Sequence, residues 1–177
     1  MAHQEIIFAG FGGQGILSMG KFLAYAGMDE NLNVSWLPSY GPEMRGGTAN
    51  CSVILTNEDI GSPLVTDATT VVVMNRPSLD KFEHAIVPGG LLIMDSDLVN
   101  RESERKDIDV IKIPAQTVAE EVGSKKIANM VLLGAFVEKT GIVPMKALLK
   151  ALKEHGKEQF YELNKRALER GAEYARK

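Results

Sequence analysis

Strand-like and helix-like patterns of hydrophobic residues alternate along most of the chain. Short apolar runs at residues 5–9 and 70–74 predict buried strands, and the valine-rich second run is typical of a strand covered on both faces. Between them, residues 16–27 place apolar side chains at helical spacing. Further strands are predicted at residues 33–37, 48–56, 91–94 and 110–113. This alternation predicts an α/β fold.

A hairpin is predicted after the strand at residues 48–56. Asn57, Glu58 and Asp59 have turn chemistry, and residues 60–64 then return as a second strand. Such a hairpin would add antiparallel pairing to an otherwise parallel sheet. We therefore expect a single domain over residues 1–177, built as a three-layer α/β/α sandwich with a mixed, mainly parallel sheet and a Rossmann-like glycine-rich turn after the first strand.

The last third of the chain is predicted to be helical. Thr117 and Glu120 have the spacing of a capping box, and a longer helix is predicted at residues 125–139. Pro144 begins a pair of C-terminal helices over about residues 144–176. Their basic and acidic residues interleave at i,i+4 spacing, which indicates a solvated helix face rather than an arm that binds nucleic acid.

Composition excludes several classes of protein. The 177 residues carry a net charge of −3, which argues against a dedicated nucleic-acid-binding protein. The single cysteine, Cys51, cannot form an intramolecular disulfide or supply the thiolates of a zinc site or a 4Fe–4S cluster. No apolar run reaches the ~18 residues of a membrane span, and residues 1–15 lack the pattern of a secretion signal. We therefore expect a cytoplasmic protein with no membrane partner.

A glycine-rich loop is the first candidate ligand site. Gly10, Gly12, Gly13, Gln14 and Gly15 follow the first strand and open the first helix. Glycines allow positive φ and close backbone approach, and the N–H groups and dipole of a helix start attract an anion. We therefore expect a phosphate-bearing ligand here, and the alternative is a tight turn without a ligand.

NAD is disfavoured as that ligand. A dinucleotide site requires an acidic residue at the end of the second strand, about 20 residues after the glycines. That position holds Trp36, Leu37 and Pro38 instead. The absence of this carboxylate weakens the NAD interpretation and leaves phosphate recognition intact.

A second candidate is the loop at residues 38–47, which we expect at the same edge of the sheet. Arg45 can bind a phosphate or carboxylate through two hydrogen bonds, or it can pair with Glu43. Tyr40 offers a flat ring and a hydroxyl group. The candidate binding residues of this loop are Tyr40, Gly41, Glu43, Arg45, Gly46 and Gly47.

Polar residues at other strand ends are weaker candidates. Asn75 follows the strand at residues 70–74 and can bind a ligand or cap the next helix. Asp95 and Asp97 end another strand, and we expect them in a solvated loop rather than at a metal ion. Cys51 alternates with Val53 along a strand, which indicates packing rather than a catalytic thiol.

Together the two loops resemble those of a known family. Gly12-Gly13-Gln14-Gly15 and the later Tyr40-Gly41-Pro42-Glu43 with Arg45-Gly46-Gly47 are similar to the gamma subunit of 2-oxoacid:ferredoxin oxidoreductases. Residues 60–63 and Asn129 extend the resemblance over essentially the whole chain. The short form of the loops is more similar to the 2-oxoglutarate and branched-chain members than to the pyruvate members.

The resemblance implies a hetero-oligomeric enzyme that converts a 2-oxoacid, CoA and oxidised ferredoxin into acyl-CoA, carbon dioxide and reduced ferredoxin. Thiamine diphosphate, Mg²⁺ and 4Fe–4S clusters would be held by alpha and beta subunits, with or without a ferredoxin-like delta subunit. This chain would have no catalytic residue of its own and would be inactive alone.

The resemblance also implies that the two loops contact CoA. The glycine loop would meet a CoA phosphate, Arg45 would neutralise it, and Tyr40 would support the adenine or pantetheine part. Alternatives are docking of both loops onto neighbouring subunits, a purely structural subunit, and a stand-alone protein that binds NAD(P) or flavin.

Overall fold

A six-stranded sheet is the centre of the fold in the computed structural model, which describes residues 2–39 and 48–177. Across the sheet the strand order is β2-β3-β1-β4-β5-β6. In chain order the strands are β1 (His3–Phe11), β2 (Asn33–Ser39), β3 (Thr48–Thr56), β4 (Ala68–Val73), β5 (Ile86–Asp95) and β6 (Asp109–Ile113). Six predicted ligand residues lie outside the described residues, namely Tyr40, Gly41, Glu43, Arg45, Gly46 and Gly47.

β3 runs antiparallel to both of its neighbours, whereas β1, β4, β5 and β6 pair in parallel. The predicted mixed, mainly parallel sheet is confirmed, but the predicted hairpin is wrong, because residues 60–64 form no strand. β3 already pairs with β1 on one side and β2 on the other, so it has no free edge for a hairpin partner. Pro63 also lacks the N–H group that a ladder needs, and Leu64 is largely exposed.

Within the described residues, six α-helices cover the two faces of the sheet unequally. They are α1 (Ile16–Asp29), α2 (Arg76–Phe82), α3 (Ala115–Val122), α4 (Ala128–Thr140), α5 (Met145–His155) and α6 (Tyr161–Ala175). One face packs against α1 and α3–α6 around a core that includes Phe8 and Phe136. The other face packs against α2 and connecting loops around Val71 and Leu79. The three-layer sandwich and the helical C-terminal third are confirmed, with one helical layer reduced to a single short helix.

Helices α4 and α6 pack backbone against backbone. A methyl group added at Gly134 would collide with the Leu168 carbonyl, and one added at Gly171 would collide with the Val131 carbonyl oxygen. Residues 128–137 of α4 are buried throughout. This close packing fixes the position of α4, which carries Asn129 toward the glycine loop.

The start of α3 is capped by strand-end carboxylates rather than by the predicted capping box. The helix begins at Ala115, so Thr117 lies inside its first turn. Asp95 Oδ1 accepts a hydrogen bond from the Ala115 N–H group (3.2 Å), and Asp97 Oδ2 accepts one from Thr117 N–H (2.7 Å). The expected solvated position is wrong for Asp95, which is fully buried. Burial raises the pKa of Asp95, opposed by hydrogen bonds from Gln116 and backbone N–H groups.

Candidate functional site

The carboxyl ends of the parallel strands lie together at one edge of the sheet. Here successive strands of the chain switch from one side of β1 to the other. From β1 the chain goes to β2 and β3 on one side, and β4 then lies on the other side of β1. In α/β sheets a crevice opens at such a switch point, and ligands bind there. Residues 11–15 after β1 and residues 74–76 after β4 border it here. The two segments touch, because Gln14 Nε2 donates to the Met74 carbonyl (3.4 Å), and Met74 N–H donates to the Ala9 carbonyl within β1 (2.9 Å).

The glycine loop leaves the start of α1 open. Gly13 has φ 90° and Gly15, the N-cap residue of α1, has φ 76°. Other L-residues are strained at positive φ, so the backbone requires glycine at both positions. No side chain caps the helix, and its first turn, which lies within the described part, contains no acidic residue. The first-turn N–H groups have no partner within the helix and carry the positive end of its dipole, so they complement an anion.

A cleft of about 320 Å³ lies over this helix start. Its walls are mostly backbone and small side chains, which lets a phosphate group approach the N–H groups closely. The lining residues are Phe11, Gly12, Gly13, Gly15, Ile16, Leu17, Ser18 and Ala49. The predicted ligand residues Gly12, Gly13 and Gly15 therefore lie together in this cleft.

Gln14 and Gly10 shape the loop from beneath it. Gln14 Oε1 accepts a hydrogen bond from Phe11 N–H (2.6 Å), and its Nε2 donates to the Met74 carbonyl (3.4 Å). A methyl group added at Gly10 would lie 2.6 Å from Gln14 Oε1 and 3.1 Å from the Met74 Cβ. Gln14 thus ties the loop to the end of β4, and Gly10 leaves room for it. Neither residue lines the cleft.

Asn129 supports the loop from α4. Its Nδ2 donates to the Gly15 carbonyl (3.2 Å), and a methyl group added at Gly15 would collide with its amide. Asn129 is a buried polar residue in an otherwise apolar stretch of α4. The family resemblance includes Asn129 but predicts no role for it. A polar residue within an apolar helix was the sequence signal for this contact.

Asn75 caps α2 at the opposite wall of the crevice. Its Oδ1 accepts a hydrogen bond from Ser78 N–H (2.8 Å), so the capping alternative is confirmed. Its Nδ2 and the Ser78 hydroxyl are buried and have no hydrogen-bond partner among the described residues. Buried polar groups are normally paired, so an unused donor at this place keeps Asn75 a candidate for ligand binding.

Cys51 packs in the core, as its alternation with Val53 predicts. It is fully buried in β3, and burial raises the pKa of its thiol to about 12. Over residues 2–39 and 48–177, no three His, Cys, Asp or Glu side chains gather to form a metal site. In the same residues no helix is both long enough and apolar enough to cross a membrane.

Comparison with known proteins relates this chain to one family. The pyruvate ferredoxin/flavodoxin oxidoreductase family model matches residues 5–174. Ketoisovalerate oxidoreductase subunit VorA of Methanothermobacter thermautotrophicus is 40% identical over 176 residues, which cover 97% of this chain and 36% of VorA. The chain therefore spans about a third of the length of that relative.

Two solved structures share the fold. The gamma subunit of a keto/oxoacid ferredoxin oxidoreductase from Geobacter sulfurreducens PCA has a TM-score of 0.86 at 32% identity, over 97% of this chain and 98% of that one. The 2-oxoglutarate:ferredoxin oxidoreductase from Magnetococcus marinus, with 2-oxoglutarate, coenzyme A and succinyl-CoA bound, has a TM-score of 0.88 at 25% identity, over 99% of this chain and 31% of that one. The predicted resemblance is confirmed, and the chain belongs to the pyruvate ferredoxin/flavodoxin oxidoreductase family.

Proposed function

We propose that this chain acts as the gamma-type subunit of a 2-oxoacid:ferredoxin oxidoreductase and that its glycine loop helps to bind CoA. The assembly would convert a 2-oxoacid, CoA and oxidised ferredoxin into acyl-CoA, carbon dioxide and reduced ferredoxin. The observation that carries this proposal is the open start of α1, held by Gly13 and Gly15 in a chain of this family. The Magnetococcus marinus relative, which has the same fold, binds CoA in its structure.

The residues present fit the phosphate part of CoA. The cleft offers backbone N–H groups at a helix start, and none of the described residues that line it carries a charge that would repel an anion. CoA has a pyrophosphate and a 3′-phosphate, and either suits such donors. Arg45 and Tyr40 of the second loop are further proposed contacts, with the guanidinium neutralising a phosphate and the ring supporting adenine or pantetheine. Glu43 and the glycines at positions 41, 46 and 47 complete the proposed loop.

The remaining cofactors are assigned to partner subunits. A single buried cysteine cannot provide the ligands of a 4Fe–4S cluster. We therefore place thiamine diphosphate, Mg²⁺ and the clusters in the alpha and beta subunits of the proposed complex. The sequence identity of this chain to ketoisovalerate and 2-oxoglutarate oxidoreductases favours a branched-chain 2-oxoacid or 2-oxoglutarate as the substrate of the complex.

The strand order argues against a stand-alone NAD(P)-binding protein. In a dinucleotide-binding sheet the second strand lies beside the first, and a carboxylate at its end binds the ribose. Here β3 separates β2 from β1, which moves the end of β2 away by about another 5 Å. The last described residues of β2 are Leu37, Pro38 and Ser39, and none of these three carries a carboxylate.

A matched pair of variants separates CoA binding from a purely structural role. Gly13 and Gly89 have similar backbones, with φ 90° and φ 81°, and a side chain added at either would meet nothing within 4 Å. Gly13 lies in the cleft, whereas Gly89 lies in the first half of β5, toward the opposite edge of the sheet. Gly13→Asp would place a carboxylate in the proposed anion site, and Gly89→Asp adds the same charge elsewhere.

The proposal predicts that Gly13→Asp raises the KM for CoA of the assembled complex at least about tenfold, since it replaces attraction of a phosphate by repulsion. Gly89→Asp should leave that KM unchanged. An equal KM in both variants and the unmodified complex would favour the purely structural role.

A further inference from the structure

Arg76 stands at the rim of the crevice with its guanidinium largely unused. It follows Asn75 directly and is the first residue of α2. Its side chain is 54% exposed. Its Nη1 lies 3.4 Å from Asn100 Oδ1, and its Nε lies 3.9 Å from Asp80 Oδ2. Both distances are long for hydrogen bonds of a charged donor, so most of the five N–H donors of Arg76 are available to a ligand.

The neighbouring arginines are committed to carboxylates. Arg101 Nε lies 2.8 Å from Asp80, the same carboxylate that Arg76 only approaches. Arg105 binds both carboxylate oxygens of Asp107, at 2.6 and 2.8 Å, and also donates to two backbone carbonyls. Arg101 and Arg105 therefore have fewer donors free for a ligand than Arg76 has. Among the described arginines near the ends of β4 and β5, Arg76 is the one without a short ion pair.

The backbone beneath Arg76 is fixed while its side chain is free. Asn75 and Ser78 on either side are fully buried and joined by the capping hydrogen bond. Pro77 restricts the backbone immediately after Arg76. Through Met74 the same segment is hydrogen-bonded to β1 and to Gln14 of the glycine loop. A long cationic side chain therefore extends from a fixed backbone segment that is hydrogen-bonded to the glycine loop, and none of the described residues that line the cleft is charged.

We infer that Arg76 binds the 3′-phosphate of CoA, an inference that rests on the proposed function. The two phosphates of the pyrophosphate each carry one charge, and backbone N–H groups at a helix start suit them. A phosphate monoester carries about 1.5 to 2 negative charges at neutral pH and is bound best by an arginine, which can donate two parallel hydrogen bonds. Arg76 therefore determines the preference for CoA over a ligand that lacks this phosphate.

The test compares CoA with 3′-dephospho-CoA. Both ligands are titrated calorimetrically into the assembled complex without 2-oxoacid, and their KM values are measured alongside. Arg76→Ala should weaken CoA binding about tenfold or more and leave 3′-dephospho-CoA unchanged, because only the monoester loses a charge-assisted partner. Arg76→Lys should retain part of the preference, since it keeps the charge but not the planar donor pair.

Arg166→Ala is the matched control, because Arg166 is an exposed arginine on α6, which packs on the opposite face of the sheet from α2. It should leave the binding of both ligands unchanged. Equal weakening of both ligands by Arg76→Ala, or no weakening of either, would overturn the assignment to the 3′-phosphate. If Gly13→Asp weakens CoA while Arg76→Ala does not, only the Arg76 assignment fails. If Gly13→Asp also has no effect, the proposed CoA role of the chain fails.

Discussion

Gly15→Ala is expected to destabilise the protein through two separable effects. The first is backbone strain, because φ 76° costs an L-residue roughly 1–2 kcal/mol. The second is the contact with Asn129, whose Cγ would lie 3.0 Å from the new methyl group. The Asn129 amide must then move and lose its hydrogen bond to the Gly15 carbonyl, which is worth about 1 kcal/mol. Together the two effects lower the free energy of unfolding by roughly 2–3 kcal/mol. A small entropic gain, because alanine restricts the unfolded chain, offsets part of this loss.

Gly13→Ala isolates the first effect. Gly13 has an even larger φ of 90°, yet a methyl group there would meet nothing within 4 Å. Backbone strain and the entropic gain are similar in both variants, so their difference measures the Asn129 contact. We expect Gly15→Ala to be about 1 kcal/mol less stable than Gly13→Ala.

Urea denaturation followed by circular dichroism gives the free energy of unfolding of each variant. The double variant Gly15→Ala/Asn129→Ala should be more stable than the sum of the single changes predicts, because removing the amide removes the collision. Equal destabilisation by Gly13→Ala and Gly15→Ala, with additive behaviour of the double variant, would refute the claim that Asn129 supports the loop.

Three further predictions concern the thiol of Cys51, the carboxylate of Glu83 and the packing of α4 against α6. Cys51 should resist iodoacetamide at pH 8 in the folded protein, because burial raises its pKa to about 12; labelling at the rate of the urea-unfolded chain would contradict this. Burial raises the pKa of Glu83, but hydrogen bonds from Ser103, Arg101 and the Glu104 N–H outweigh it and the net pKa is lowered. Glu83 therefore stabilises the fold above its unfolded pKa of about 4.3, and this contribution is lost as the pH falls through the lower folded pKa. In this acid range the free energy of unfolding should fall more steeply with decreasing pH for the unmodified protein than for Glu83→Gln. Gly171→Ala should lower the free energy of unfolding by ~1–3 kcal/mol, because its methyl group would collide with the Val131 carbonyl. Gly61→Ala, whose methyl group would meet nothing within 4 Å, should leave the free energy of unfolding nearly unchanged.

Local chemistry made the glycine loop predictable. Positive φ at Gly13 and Gly15 and the start of α1 directly after them follow from short-range rules, so the sequence pattern located them correctly. The strand positions followed from hydrophobic runs for the same reason. The pairing partners of β3 could not be predicted in this way, because antiparallel pairing to both β1 and β2 depends on residues distant in sequence. The chain does bend at residues 57–58, directly after β3, but the local sequence could not reveal that both edges of β3 were occupied.

Side-chain roles at the site were the harder part to predict. Gln14 sits between two cleft-lining glycines in sequence, yet its amide turns inward to Phe11 and Met74. Asp95 ends a strand beside a charged segment, yet it is buried and caps α3, which begins 20 residues later. In each case the side chain binds a backbone group brought close by the tertiary fold. Sequence spacing carries no information about such groups.

The most direct test of the proposed function is recovery of the native complex. A tagged copy of the chain is purified anaerobically from its own cells, and the eluate is assayed for CoA-dependent oxidation of 2-oxoacids. We predict that larger subunits carrying thiamine diphosphate and iron–sulfur clusters co-purify and that the eluate oxidises a branched-chain 2-oxoacid or 2-oxoglutarate only when CoA is present. Recovery of the chain alone, with no such activity in the eluate, would contradict its assignment as a subunit of a 2-oxoacid oxidoreductase.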